Sequence, residues 1–260
     1  MASIPTWLRS CGIDLRRMIS APKNFSRYLT TRREFARAAK ADFPWGESLP
    51  ILDEWNESSG SLGAYFFQDR LVARWIYEAR PEKHYDVGSR IDGFIGSLSV
   101  FREVDVIDIR PQPLTAPNIT FHCMDLMADL PADWVGKAES LSCLHTIEHF
   151  GLGRYGDKID PDGYLKGLAQ LKRLVTPGGI LYLSTPIGSQ RIEFNAHRVF
   201  ALGTVLGWFS AGWEIVRLAV IDDGNQVWEN LDPKDPAVAD NFGCNLGVGV
   251  IAARRIDFEF

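Results

Sequence analysis

The stretch SCLHTIEHFGLGRYGD, residues 142–157, concentrates side chains that can move protons. His145, Glu148 and His149 lie within five positions, directly after an apolar run. A positioned histidine can take the proton of a reacting hydroxyl, which accelerates a reaction by about 10²–10⁴-fold. If the stretch is helical, the three side chains share one face and form a ligand set for a divalent metal. It therefore indicates a general base or a metal site, and the structural alternative is a helix cap.

A glycine-rich polar segment, GLGRYGDKIDPDG (151–163), follows these histidines. It is too long for a minimal strand-to-helix connection, so we expect a functional loop over a bound molecule. Arg154, Tyr155 and Asp157 can hydrogen-bond sugar hydroxyls or a phosphate, and the Tyr155 ring can stack on a sugar face. The alternative is a lid whose polar groups bond only to each other.

Regularly spaced apolar residues predict the elements that position these groups. Helical spacing marks YFFQDRLVARWIYEA, from about Ala64, and YLKGLAQLKRLVTPGG, whose Leu165, Leu168, Leu171 and Leu174 or Val175 form one apolar face. Seven extended runs are HYDVG, VDVIDI, ITFHC, ESLSCL, ILYLS, EIVRLAVI and NLGVGVIAA. A further helical stretch is expected near HRVFALGTVLGWF. The alternation favours an α/β fold with a doubly wound, mostly parallel seven-stranded sheet and an antiparallel end.

The first 63 residues differ in character from the rest of the chain. Residues 1 to about 45 combine many arginines and lysines with apolar residues at helical spacing, which predicts one or two amphipathic helices. Such helices cover a core or, alternatively, rest on an acidic membrane or a partner protein. We expect a helical extension and linker over 1–63 and one main domain over 64–260.

Composition excludes several classes of protein. A net charge of -5 over 260 residues gives no basic field for nucleic acid. The four cysteines form no Cys-x-x-Cys pair, so neither a zinc knuckle nor a disulfide framework is indicated, and a reducing cytoplasm fits best. No apolar run approaches the roughly 20 residues that span a bilayer.

Polar residues end three successive predicted strands. In a doubly wound sheet, ligands bind at the carboxyl ends of the strands. Gly88 lets the backbone approach a ligand closely, and Asp86 can hold the turn or an ammonium group. Asp108 follows about twenty residues later, where an acid reaches ribose hydroxyls. Asp125, after the third strand, can accept from an adenine amino group. Each alone is equally well a turn or helix cap.

The series HYDVGSRIDGF, VDVIDIRP, FHCMDL, SCLHTIEHF, LKRLVTPGGILYLSTP resembles the ordered motifs of class I S-adenosylmethionine-dependent methyltransferases, over about residues 83–254. The resemblance implies S-adenosylmethionine as cofactor, with its methionine, ribose and adenine parts held in strand order. The cofactor-binding residues that it implies are Asp86, Gly88, Ser89, Asp108 and Asp125.

Two narrower resemblances concern the acceptor side. FFQD, DVGSRIDGF, IDIRP, HTIEHFGLGRYGD, FNAHRVF and NFGCNLG resemble an uncharacterised methyltransferase-like family, some of whose bacterial members lie among surface-polysaccharide genes. HTIEH is also similar to the Glu-x-x-Glu-His metal segment of some O-methyltransferases, with His145 in place of the first Glu. In the small-RNA enzymes of that kind a later histidine completes the site, and His197 lies in a comparable place. The implied metal set is His145, Glu148, His149 and His197.

These resemblances imply an O-methyltransferase acting on a hydroxyl of a sugar or related small polar acceptor, in surface-glycan synthesis. The alternative is a methyltransferase-fold binding module without chemistry, since the usual Gly-x-Gly loop is reduced to Gly88-Ser89-Arg90. A nicotinamide-dependent oxidoreductase is disfavoured because no Gly-x-Gly-x-x-Gly opens the first helix.

Overall fold

The chain divides into two compact units, Met1–Ser61 and Leu62–Phe260. The structure, a computed structural model, describes residues 8, 10–38, 43–52, 54, 55, 60, 62–113 and 115–256. The division falls close to the predicted boundary after residue 63. No helix in the described ranges is long and apolar enough to cross a membrane.

The first unit contains one long helix, α1 (Leu15–Ala38). The Asp14 carboxylate accepts from the backbone N–H groups of Arg16 and Arg17 at 2.8 and 3.2 Å, which satisfies the free donors of the first turn. None of the side chains of α1 is buried. Its basic residues are Arg16, Arg17, Lys23, Arg27, Arg32, Arg33 and Arg37, against the single acid Glu34.

The second unit is built on an eight-stranded sheet in the order β3-β2-β1-β4-β5-β10-β8-β9. The strands are β1 (Lys83–Val87), β2 (Glu103–Asp108), β3 (Ile119–Cys123), β4 (Ala138–Leu144), β5 (Val175–Ile187), β8 (Trp213–Ile221), β9 (Val227–Trp228) and β10 (Gly247–Arg255). A separate hairpin pairs β6 (Arg191–Glu193) with β7 (His197–Val199).

The pairing confirms the predicted α/β fold. The first five strands are parallel, whereas β10 runs antiparallel to both β5 and β8. The predicted count of seven strands misses the edge strand β9, because two residues are too short to show an alternating pattern.

Helices cover both faces of the sheet. They are α2 (Ala64–Ala79), α3 (Gly96–Leu98), α4 (Gly163–Leu174) and α5 (Leu202–Gly207). One core cluster joins α2 and α3 to the sheet, and another joins α4 and α5 to its opposite face. Two expectations were wrong: Leu165 is 44% exposed rather than on the buried face of α4, and the hairpin strand β7 occupies part of the helix predicted near residues 197–209.

Candidate functional site

A cleft of about 1120 Å³ lies at the carboxyl ends of β1 to β4. This exceeds the volume that one drug-sized ligand usually fills, so two small molecules can share it. Nine predicted site residues line the cleft: Gly88, Ser89, Asp108, Asp125, His145, His149, Arg154, Tyr155 and Asp157. Three others, Asp86, Glu148 and His197, are not among its lining residues.

Gly88 forms the turn after β1 and has a φ of 72°, a conformation that favours glycine. A Cβ atom at this position would lie 2.4 Å from Cγ2 of Thr146, in the turn after β4. The turns after β1 and β4 therefore pack against each other through a glycine. Ser89, the next residue, donates both its backbone N–H and its hydroxyl to Asp86, at 2.9 and 2.8 Å.

Asp86 holds this turn through its hydrogen bonds to Ser89 and is fully buried. The carboxylate of Asp86, which was predicted to contact the cofactor, accepts from Ser89 and from the Ser142 hydroxyl and is not among the residues that line the cleft. Ser142 in turn lies 2.8 Å from Nε2 of His84. Burial lowers the pKa of His84 to about 3, so this ring is neutral and offers Asp86 no counter-charge. Burial accordingly raises the pKa of Asp86 to about 6.

Asp108 lines the cleft at the end of β2, as predicted, but its carboxylate already has a partner. Oδ1 accepts from the backbone N–H and Nε of Arg110 at 2.8 and 2.9 Å, and Oδ2 accepts from Nη2 at 2.7 Å. Arg110 therefore occupies both oxygens of the carboxylate that the resemblance assigns to the ribose. Asp125 uses Oδ1 to accept from the backbone N–H of Met127 at 2.8 Å, which orders the turn after β3.

His145 occupies a sharp turn directly after β4, with a φ of 49°. Its backbone N–H reaches the carbonyl and hydroxyl oxygens of Ser184, each at 3.1 Å, which holds this uncommon conformation. Nδ1 lies 2.9 Å from Oε1 of Glu148, a fully buried acid. This pairing assigns the proton to Nδ1 and leaves Nε2, a buried atom without a hydrogen-bond partner in the described residues, as an acceptor.

His149 belongs to a 3-10 turn, Ile147–His149, and not to an α-helix. Its Nδ1 lies 2.7 Å from the carbonyl oxygen of Ala196, so Nδ1 carries the proton and Nε2 has the lone pair. Burial lowers the pKa of His149, and Arg154 adds to this, while Glu148 opposes it. The ring is therefore a neutral base at the cleft wall at neutral pH.

The predicted metal set is not brought together. His197 lies on the β6–β7 hairpin, 3.3 Å from Glu193, and outside the cleft lining. Nδ1 of His145 and Oε1 of Glu148 are bonded to each other, so these two atoms are not open ligands. Within the described part of the chain, no three His, Cys, Asp or Glu side chains form a group that could hold a metal ion. These residues therefore do not form the predicted metal site.

The loop after the histidines is ordered by Asp157. Its Oδ2 accepts from the backbone N–H groups of Gly151 and Gly153 at 2.9 and 3.1 Å, and its Oδ1 accepts from that of Tyr155 at 3.1 Å. Asp157, predicted to contact a substrate, lines the cleft and also shapes this loop. Tyr155 and Arg154 remain at the cleft, with Nη1 of Arg154 donating to Ala196 at 2.9 Å.

Sequence reasoning assigned no role to three residues of this cleft. Tyr65 and Asp69 reach it from α2, and the Tyr65 ring lies 4.8 Å from that of His145. Burial raises the pKa of both side chains. The motif FFQD carried the only sequence signal for Asp69. Arg110 is the third of these cleft residues. An arginine two residues after an acid at a strand end does not by itself indicate a site residue.

The fold is the Rossmann-like fold of class I S-adenosylmethionine-dependent methyltransferases. The chain is similar to 1,6-didemethyltoxoflavin-N1-methyltransferase from Burkholderia thailandensis, whose structure holds 1,6-didemethyltoxoflavin and S-adenosylhomocysteine. That likeness has 14% identity and a TM-score of 0.50, over 90% of this chain and 91% of the other. N-methyltransferase NodS from Bradyrhizobium japonicum, in complex with S-adenosylhomocysteine, has 10% identity and a TM-score of 0.49, over 86% and 98%.

In sequence, residues 120–228 match the model of a family described as Caenorhabditis protein of unknown function, DUF268. The matched part includes β4, the histidine-containing turn and the loop that follows. No curated protein matches the sequence.

Proposed function

We propose that this protein transfers a methyl group from S-adenosylmethionine to a hydroxyl of a small polar acceptor. The observation that carries the proposal is the neutral His149 at the wall of a cleft formed by the ends of β1 to β4. When bound, the cofactor supplies an electrophilic methyl group on a sulfonium. The protein then has to align the acceptor and remove its proton, which are positioning and general-base tasks.

Different residues of the cleft bind the cofactor, act as the base and contact the acceptor in this proposal. The Gly88–Ser89 turn, Asp108 and Asp125 follow the three strands that would hold the cofactor. His149 is our candidate base, because its Nδ1–H is fixed on Ala196 and its Nε2 is left as an acceptor. His145, with an unpartnered Nε2 within the described residues, is a second polar contact for a ligand in the cleft.

The acceptor that we propose is a sugar or sugar derivative used in surface-glycan synthesis. Tyr155, 37% exposed at the cleft, offers a ring that can stack on a sugar face. Arg154 beside it can donate to hydroxyls or to an anionic group. The resemblance to a family encoded among polysaccharide genes supports the same class of acceptor.

Titration calorimetry with S-adenosylhomocysteine tests the cofactor half of the proposal, since an absence of binding at millimolar concentration would contradict it. Screening nucleotide sugars and short glycans for release of S-adenosylhomocysteine tests the acceptor half. With a confirmed acceptor, chelator should leave turnover unchanged, because no three His, Cys, Asp or Glu side chains of the described residues form a group that could hold a metal ion.

A second candidate is a binding module that keeps the cleft without chemistry. The observation that favours it is the reduced glycine loop, Gly88-Ser89-Arg90, in which the backbone N–H and hydroxyl of Ser89 are bonded to Asp86. Binding of S-adenosylhomocysteine with no turnover on any acceptor would support this second candidate over the enzyme.

For α1 we propose contact with an anionic membrane surface. This helix combines its seven basic residues with the exposed apolar side chains of Met18, Ile19 and Phe25. A basic amphipathic helix of this kind binds the interface of anionic lipids by burying its apolar face while its charges meet the headgroups.

A further inference from the structure

Two arginines meet on one tyrosine ring in the cleft. The Cζ atoms of Arg110 and Arg154 lie 4.5 and 5.2 Å from the centroid of the Tyr155 ring. All three residues line the cleft. Each guanidinium is attracted to the ring, and an anion between the two cations would be attracted by both.

The two arginines differ in what they are bonded to. The Arg110 guanidinium donates a hydrogen bond to each carboxylate oxygen of Asp108. Arg154 donates one N–H to the Ala196 carbonyl and forms no ion pair within the described ranges. A guanidinium has five N–H donors, so Arg154 retains donors for a ligand.

We propose that Arg110 and Arg154 bind a phosphate group of the methyl acceptor, and that cofactor binding completes this site by releasing Arg110 from Asp108. The inference rests on the proposed function, in which the ribose hydroxyls bind Asp108. Ribose and Arg110 compete for the same two oxygens. Among the described residues Arg110 forms its ion pair with Asp108, and a phosphate matches the fork of the guanidinium that the ribose would release.

The position of Tyr155 connects this site to the reaction. The His149 ring packs edge-on against Tyr155, with the ring centroids 5.4 Å apart. A sugar phosphate held by the two arginines therefore places its sugar ring beside His149. The acceptor class is a phosphate-bearing sugar, such as a nucleotide-diphosphate sugar.

Competition for Asp108 has two measurable consequences. Because coupling between two ligands is reciprocal, cofactor and phosphate must each strengthen the binding of the other. Removing Arg110 must also strengthen cofactor binding, because Asp108 is then free. A partly exposed ion pair is worth at most about 1 kcal/mol, which converts to an affinity gain of roughly five-fold.

The experiment is titration calorimetry of the full chain with S-adenosylhomocysteine, inorganic pyrophosphate, UDP and glucuronate, each alone and in the presence of the others. We expect pyrophosphate and UDP to bind up to about five-fold tighter when S-adenosylhomocysteine is saturating. Arg110→Ala should bind S-adenosylhomocysteine about five-fold tighter and lose the coupling. Arg90→Ala is the matched control: Arg90 also lines the cleft but is paired with Asp92, so its removal should bring no gain.

Three results would overturn the inference while leaving the proposed function intact: equal pyrophosphate affinity with and without S-adenosylhomocysteine, weaker S-adenosylhomocysteine binding by Arg110→Ala, or coupling seen with glucuronate alone. If neither the wild type nor Arg110→Ala binds S-adenosylhomocysteine, the proposed function itself is wrong, and the inference falls with it.

Discussion

Asp86→Asn should make the stability of this protein less sensitive to pH. Asp86 is fully buried and has no cationic partner in the part of the chain that the structure describes, and burial raises its pKa from 3.8 to about 6. A carboxyl with a raised pKa in the folded state binds its proton more tightly there than in the unfolded chain. Its stabilising contribution is therefore complete below pH 3.8 and is lost as the pH rises through about 6.

The size of the effect follows from the pKa difference of about 2, which corresponds to about 3 kcal/mol of unfolding free energy. An asparagine keeps Oδ1 as the acceptor for the Ser89 backbone N–H and replaces Oδ2 with an amide that donates to the Ser89 and Ser142 hydroxyls, but it does not titrate. The free energy of unfolding of the variant should thus rise relative to wild type by up to about 3 kcal/mol between pH 4 and pH 8.

Urea denaturation of both proteins at several pH values, followed by tryptophan fluorescence, measures this difference. Asp92→Asn is a control of opposite sign: Arg90 lowers the pKa of Asp92, so that carboxylate stabilises at high pH and loses its contribution as the pH falls. If the difference in unfolding free energy between wild type and Asp86→Asn does not change from pH 4 to 8, then Asp86 is not a buried carboxyl with a raised pKa. A large loss of S-adenosylhomocysteine affinity in Asp86→Asn would restore the direct contact that the sequence predicted.

Three other perturbations test the site and the extension. Gly88→Ala should weaken S-adenosylhomocysteine binding at least ten-fold and lower the free energy of unfolding by about 1–2 kcal/mol, because the new methyl group would lie 2.4 Å from Thr146 Cγ2. Thr146→Ser removes that atom, so adding it to Gly88→Ala should recover part of both losses in calorimetry and melting experiments. His149→Gln should lower turnover by about 10²-fold or more at nearly unchanged cofactor affinity. Since burial lowers the pKa of His149, wild-type kcat should be flat above about pH 6.5 and fall only below it, and a rising limb above that pH would assign the base elsewhere. Arg16→Glu with Arg27→Glu should abolish co-sedimentation with phosphatidylserine vesicles and leave binding to neutral vesicles unchanged, and a wild type that ignores anionic vesicles would contradict the membrane contact.

Local patterns determined the architecture of this protein. The alternation of apolar runs with helical spacing predicted the first five parallel strands, the antiparallel end and α2, because burial of one face imposes a period that can be read along the chain. The ends of those strands then identified the edge at which Gly88, Asp108, Asp125 and His149 meet. Leu165 departs from its predicted face, since only the packing partner decides which side of a helix is covered.

Tertiary structure alone decided which of the candidate groups are available for chemistry. Asp86 and Glu148 were equal in sequence to Asp108 and Asp125, yet their side chains are buried behind the cleft, whereas those of Asp108 and Asp125 line it. Which acid finds an internal donor depends on distances between residues far apart in the chain, as with Ser142 and Asp86. The same physical reason explains His149, whose free Nε2 results from a carbonyl 47 residues away. A sequence specifies the groups that a site can use, and the folded contacts decide which of them still have a lone pair or a proton to offer.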